Sequence, residues 1–359
     1  MASSEIIKRT FSRASKGFKV IPKKYSSPKE ACGVPLGGIG TGKIEITPDG
    51  MLRHFTTNNN YVFPIDEMPG TFIAVAYKQG DNYTVKVLST EFFFKNRFSN
   101  VLRSEEIEYY GLYPLCMLNY KIMNSPIKIR LLAFSPVIPR DLESSSLPLI
   151  FFIFEISNTS NTTVEGSINF SWEDINGCWG SKVSWDDWVP PTDPVFSDDR
   201  GFLTTVKLTD ELYGIQFSSR KHHPEVADFA WGEYTLAVKG DKEDVYIHQY
   251  NPYSSDELGR IFEILRRKGR LPNKADNRPG HYAAILGVRF RIEKGETRYI
   301  VYVLSWYTPN RWGFGSGLIE GRKATPWDYA GKKIGHWYAN KYTSSIEAVS
   351  YTHLTLPTN

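Results

Sequence analysis

Short runs in which every second residue is apolar recur along this chain and leave few folds open. Tyr83, Val85 and Val87 alternate with Thr84 and Lys86, and Ile127, Ile129 and Leu131 alternate with Lys128 and Arg130. A side-chain period of two belongs to a β-strand with one face on a core. Residues 71–77 lead into the first of these runs through Gln79-Gly80-Asp81-Asn82, a hairpin turn. Residues 149–156 are almost wholly apolar, as in a strand buried on both faces, and end in the turn cluster Asn158-Thr159-Ser160-Asn161. The chain returns with Ile168, Phe170 and Trp172 on one face and Ser167, Asn169 and Ser171 on the other. Further strands are predicted at 203–208, 213–217, 234–238, 245–248, 284–292 and 299–306. Aromatic residues make up 14% of the chain, which suits rings packed on pleated faces. The expected class is all-β: a large antiparallel β-sandwich with one or two short helices.

One segment departs from the period of two. Leu258, Ile261, Phe262 and Leu265 have helical spacing, Ser254 and Glu257 form a capping-box pair, and Gly269 stops the run. Arg266, Arg267 and Lys268 in the last turn complement the helix dipole. A weaker helix is predicted over 327–341, with Trp327, Ala330, Ile334 and Trp337 on one side.

Residues 33–42 read GVPLGGIGTG, followed by Asp49-Gly50 and then by Arg53, His54, Asn58, Asn59 and Asn60. Glycine this dense marks a backbone that needs positive φ or close approach. The run does not follow a strand and open a helix, and it lacks a Gly-Lys-Ser/Thr ending, so it is no nucleotide loop. Gly37, Gly38, Gly40, Gly42, Arg53, His54, Asn58, Asn59 and Asn60 are read as a cleft edge or domain interface. The plainer reading of three adjacent amides is that they satisfy backbone groups in a tight loop.

Net charge is +4, from 43 basic and 39 acidic residues, a balance that argues against a nucleic-acid partner. Cys32, Cys116 and Cys178 are too few and too far apart for a disulfide framework or a zinc site, and a reducing, cytoplasmic setting is expected. No apolar run approaches membrane-spanning length and the first residues carry no signal-type core, although peripheral membrane association stays open. No metal or cofactor is expected. His222 and His223 are the one close histidine pair, and neighbours in a loop do not converge on a metal.

Glycosidic cleavage needs paired carboxyls. Glu173-Asp174 follows Trp172, and Asp186-Asp187 lies between Trp185 and Trp188, with Trp179 nearby. Trp172, Trp179, Trp185 and Trp188 could therefore contact sugar. Adjacent acids on a strand point opposite ways, however, and a structural role outweighs a catalytic one.

The glycine passage GVPLGGIGTGKIEI (33–46), with DGMLRHFTTNNN (49–60), resembles the N-terminal domain of the non-lysosomal glucosylceramidase family, glycoside hydrolase family 116. Collinear matches are AFSPVIPRD (133–141), SSLPLIFFIFEISN (145–158), SWEDINGCW (171–179), VLSWYTPNRW (303–312) and HWYANKYT (336–343). The resemblance implies a β-sandwich followed by an (α/α)6 helical barrel that carries a Glu nucleophile and an Asp acid/base. No residue here matches those motifs, so no catalytic residue is assigned to this chain. The implied organisation is an N-terminal arm (1–30), the sandwich (31–310), an exit segment toward the barrel (311–349) and a non-native or disordered tail (350–359). The implied parent is a retaining β-glucosidase whose barrel binds the β-glucoside. The competing reading is a stand-alone carbohydrate-binding or protein-interaction module.

Overall fold

The computed structural model describes residues 4–22, 31–60, 64–176, 201–219, 231–276, 278–311 and 335–355. The chain opens with helix α1 (Ser4–Ala14) and strand β1 (Phe18–Val20), then β2 (Val34–Leu36), β3 (Ile44–Ile46) and β4 (Leu52–Arg53). The hairpin β5 (Phe72–Gln79) and β6 (Asn82–Val87) precedes β7 (Ile107–Leu112), β8 (Leu115–Tyr120) and β9 (Ile127–Phe134). A one-turn helix α2 (Leu142–Ser145) leads to β10 (Leu149–Asn158) and β11 (Val164–Glu173). Then come β12 (Gly201–Lys207), β13 (Leu212–Ser219), β14 (Glu233–Lys239), β15 (Val245–Tyr250), α3 (Ser255–Lys268), β16 (Ala283–Ile292), β17 (Thr297–Tyr307) and α4 (Ser345–Thr355).

A nine-stranded sheet, ordered β1-β7-β8-β9-β10-β17-β14-β13-β12, faces a five-stranded sheet, β15-β16-β11-β5-β6, while β2, β3 and β4 form a small third sheet. The paired strands run antiparallel. The expected all-β sandwich is therefore present, although four α-helices replace the expected one or two among the described residues.

The core between the sheets follows from the alternation. Ile168, Phe170 and Trp172 of β11 meet Phe152 and Phe154 of β10 and Tyr302, Leu304 and Trp306 of β17. Phe152 and Phe170 pack edge to face at 5.0 Å. The Tyr302 hydroxyl, fully buried, donates to the carbonyls of Ile168 and Leu286 (3.0 and 3.1 Å) and so ties one sheet to the other. Residues 149–156 lie at the centre of the large sheet, as a doubly buried run requires.

The polar face of β11 is also sealed. Ser167, Asn169 and Ser171 are fully buried. Ser167 Oγ donates to Gly269 O (2.7 Å), Asn169 accepts from the Tyr246 hydroxyl, and Ser171 Oγ shares a bond with the Tyr250 hydroxyl (2.9 Å). Helix α3 covers this side with Leu258, Ile261, Phe262 and Leu265. Its start departs from a full capping box. The Glu257 N–H donates to Ser254 Oγ, but the Glu257 carboxylate reaches the Asn251 N–H rather than that of Ser254. Gly269 ends the helix at φ 65, its N–H bonded to Leu265 O.

The outer face of the nine-stranded sheet is covered at two places. Phe11 and Ala14 of α1 pack on Met117, Leu132 and Ile153. Tyr338, Tyr342, Ala348 and Val349 pack on Leu149, Phe151 and Val303. Residues 335–350 thus fold back on the sandwich, and α4 runs through the first part of the stretch 350–359, where no element was expected. Of the weaker helix predicted over 327–341, residues 327–334 lie outside the described residues, and Trp337–Asn340 is a single 3-10 turn. No helix among the described residues is long and apolar enough to cross a membrane.

Candidate functional site

β10 starts, and β11, β13 and β17 finish, at one end of the sandwich, and the glycine passage is laid across that end. Gly37 N donates to Ser135 Oγ (2.8 Å), Ile39 N to Ser145 O (2.7 Å), and the buried Trp306 indole donates to Thr41 O (2.8 Å). A Cβ on Gly38 would lie 2.3 Å from Leu147 O, and Gly42 has φ +87, so neither place accepts a side chain. From Leu36 to Gly42 only the tip, at Ile39 and Gly40, is exposed. The glycines are there so that a loop can lie flat on strand ends without side chains between them.

The polar set after the loop divides in two. Arg53 points inward, 3% exposed, and pairs with Asp49 and with Glu67 at 2.6 Å. Burial opposes its charge, and the two carboxylates more than offset that, so its pKa stands above the ordinary arginine value. His54 sits at φ 53, donates from Nε2 to Ala31 O (2.7 Å) and lies 3.5 Å from Asp66. Arg53 ties the end of the small third sheet to Asp49 and Glu67, and His54, the next residue, is tied to Ala31 and Asp66. Neither faces the exposed loop tip.

The three asparagines do face that end. Asn58 is buried, donates to Ile175 O and accepts from the Tyr234 hydroxyl. Asn60 folds the loop, accepting from Asn58 N (3.1 Å) and donating to Phe55 O (2.8 Å). Asn59, at φ 61, reaches His336. That histidine is 4% exposed, with Nδ1 2.9 Å from Gly40 O and Nε2 2.6 Å from the Asn59 amide. Burial drives its pKa down to about 4; the Gly40 carbonyl opposes this and Arg311 reinforces it. The ring is therefore neutral near pH 7. Both ring nitrogens face oxygens, Gly40 O and Asn59 Oδ1, while Asn59 Nδ2 donates to Thr308 O (3.4 Å), so the single N–H of the neutral ring serves one of the two oxygens at a time. His336 also stacks on Tyr338 at 4.9 Å. It fastens the chain after residue 335 to both loops. Reading the residues singly does not find His336, although it opens the HWYANKYT match.

The acids at this end are already in use. Glu173 is fully buried, with Oε1 2.7 Å from His281 Nε2 and Oε2 accepting from Gly70 N (2.6 Å). Asp174, 2% exposed, turns the other way and accepts from Asn176 N and Nδ2 (3.0 and 2.7 Å). Adjacent acids thus diverge, as a strand dictates. Trp172 is a core ring between Phe55 and Tyr234, with no exposed face for sugar to meet. Trp179, Trp185, Trp188, Asp186, Asp187, His222 and His223 lie outside the described residues.

Around the loop tip the surface is apolar. Ile39 (52% exposed), Ile138, Leu142 and Trp337 gather there. Ser145 holds Ile39 and Ile138 through its carbonyl and hydroxyl, and a Lys341–Glu143 pair (3.4 Å) brings Trp337 near α2, with Lys341 over the Trp337 ring. Four exposed apolar side chains thus stand beside the tip of a glycine loop that is tethered from beneath.

Comparisons with solved structures find distant likenesses. A protein named as a kojibiose phosphorylase, from the human microbiome, is 9% identical, with TM-score 0.34 over 81% of this chain and 32% of its own. A polysaccharide lyase is 10% identical, with TM-score 0.31 over 78% and 32%. A galactose mutarotase related enzyme from Lactobacillus acidophilus is 10% identical, with TM-score 0.33 over 77% and 97%. The chain spans about a third of the length of the first two. Likenesses this distant say nothing about chemistry. The family model described as beta-glucosidase 2, glycosyl-hydrolase family 116 N-terminal, matches residues 33–356, nearly the whole chain. On that match the chain belongs to the family of glycoside hydrolase family 116 N-terminal domains.

Proposed function

We propose that this chain is the non-catalytic β-sandwich domain of a retaining β-glucosidase of the glucosylceramidase type. In this reading the glycine-loop end packs on a C-terminal (α/α)6 catalytic barrel and shapes the mouth where the β-glucoside enters. The observation that carries it is the contrast at that end. The nearby acids, Glu173 and Asp174, are buried and spent on hydrogen bonds, while Ile39, Ile138, Leu142 and Trp337 stand uncovered. Gly37, Gly38, Gly40, Gly42, Asn58, Asn59 and Asn60 set the shape of the docking end, and Arg53 and His54 brace it from behind. The reacting carboxyls of a retaining enzyme stand about 5–5.5 Å apart, and here the barrel supplies them. A reducing cytoplasmic setting suits Cys32 and Cys116, which are both free thiols.

The test is turnover of an aryl β-glucoside by the purified chain, alone and mixed with a separately expressed barrel domain. The expected result is no hydrolysis alone and hydrolysis by the mixture. Hydrolysis by the chain alone, lost on changing Glu173 or Asp187, overturns the reading. A stand-alone sugar-binding module instead predicts tryptophan fluorescence that responds to added glucosides without any barrel.

A further inference from the structure

The nine-stranded sheet ends at β12 and the five-stranded sheet ends beside it at β15. Between them lies an open groove of about 420 Å³. Its floor is Tyr213, Val245 and Ile247, which belong to the rim of the main core. β12 runs out from beneath the smaller sheet. Leu203 is buried, whereas Thr205 and Lys207, on the same side of the strand, are exposed.

Register decides which main-chain groups face the groove. Gly201 O accepts from Gly280 N at 3.1 Å, on the side away from β13. Its partner Ser219 turns its own N–H the other way, to Gly232 O. Alternation along the strand then points the N–H and C=O of Leu203, Thr205 and Lys207 outward as well. No described residue bonds to those groups. The facing edge of β15 is closed, because Lys274 N donates to Ile247 O (2.9 Å) and Gln249 N donates to Lys274 O (2.7 Å). Among the described residues the groove therefore has one closed wall and one strand edge with no partner. A free edge is a template for another strand.

Its lining carries positive charge alone, although Asp210 stands beside Lys207 and Asp276 lies close enough to Lys274 to feel its charge. Lys207, Lys242 and Lys274 line it, and no carboxylate does. Lys207 shares Asp210 at 2.8 Å, while Lys242 and Lys274 form no ion pair among the described residues. We propose that this seam binds an extended acidic segment of a partner protein. The segment adds to β12 as a strand, lays alternate apolar side chains on Tyr213, Val245 and Ile247, and brings carboxylates to the three lysines. This surface is separate from the glycine-loop end and does not depend on the barrel.

The probe is a fluorescein-labelled peptide of about eight residues alternating Val and Glu, long enough for one strand, titrated with the full chain and read by fluorescence anisotropy. Saturable binding that weakens with added salt is expected. Thr205→Pro removes an N–H that faces the groove and no bond to β13, so the sandwich is expected to hold while binding falls about tenfold or more. Paired Lys242→Glu and Lys274→Glu changes are expected to do the same, and Lys78→Glu, on β5, to do nothing. A peptide N-methylated at alternate residues keeps its charge but loses a strand edge, and is expected to bind about tenfold more weakly whatever Thr205→Pro does to folding. Absence of binding, or equal binding by the N-methylated peptide, overturns the proposal. A sulfated polysaccharide that displaces the peptide while Thr205→Pro has no effect also overturns it, since the lysines would then be a general polyanion surface.

Discussion

His336 concentrates in one side chain what this end of the molecule does: it holds two loops and the returning chain with the two nitrogens of a single ring. Its neutral form gives a pH dependence whose sign can be worked out. Burial pushes the folded pKa down to about 4, against 6.5 for a free ring. Between those values the unfolded chain binds more protons than the folded one, so stability rises with pH across the window and falls as pH drops through it. At about 1.4 kcal/mol per pH unit, going from pH 7 to pH 5 costs about 2 kcal/mol. Urea denaturation at the two pH values measures this, and His336→Gln is expected to flatten the dependence; an unchanged slope in the variant places the proton elsewhere. Gly38→Ala is expected to cost about 2 kcal/mol or more, read as a lower melting temperature, because its Cβ would meet the Leu147 carbonyl at 2.3 Å. The need for glycine was legible in the density of the run. What each glycine approaches was not, because Leu147 and Thr56 come from elsewhere in the chain.

Elements were the most legible scale. The hairpin at Gly80, the doubly buried run in β10 and the stop at Gly269 are local consequences of local sequence, and they appear where the pattern puts them. Ser254→Ala is expected to destabilise the chain by about 1 kcal/mol through loss of the bond from Glu257 N, measurable by thermal melting. Adding Asn251→Ala tests the departure from a full capping box. Because Glu257 bonds the Asn251 backbone rather than its side chain, that contact should survive, and any added cost reports the turn bond from Tyr253 N to Asn251 Oδ1. Helix α1 lies in the stretch expected to be an N-terminal arm, where Ile7, Phe11 and Ala14 have helical spacing and pack on the outer face of the large sheet. Helix α4 carries almost no amphipathic stripe, and what holds it is the bond from Ser305 Oγ to Ser345 O and the burial of Ala348 and Val349.

For the whole molecule, the uncovered surface at the loop tip is the quantity to test. Leu142→Lys and Trp337→Lys touch exposed side chains, so they are expected to change the stability of the isolated chain by no more than about 0.5 kcal/mol. If the barrel docks there, the same changes should abolish its activation in the mixing experiment, and light scattering should show the isolated chain aggregating less than the unaltered protein. Full activation of the barrel by both variants would move the interface to another face.

By itself the sequence determined most of the strands, though not β1, β2, β7 or β8, together with the class of fold and the place where the backbone must be glycine, since each depends on neighbours within a few residues. It also carried the family, in the order of its motifs. Only the tertiary structure decided that Arg53 is spent on Asp49 and Glu67, that Trp172 is core, that Glu173 is bound by His281 and Gly70, and that His336 closes on Asn59. Those outcomes depend on partners brought from up to a few hundred residues away by the stacking of two sheets, and a period-two pattern says which face is buried but not what will meet it there.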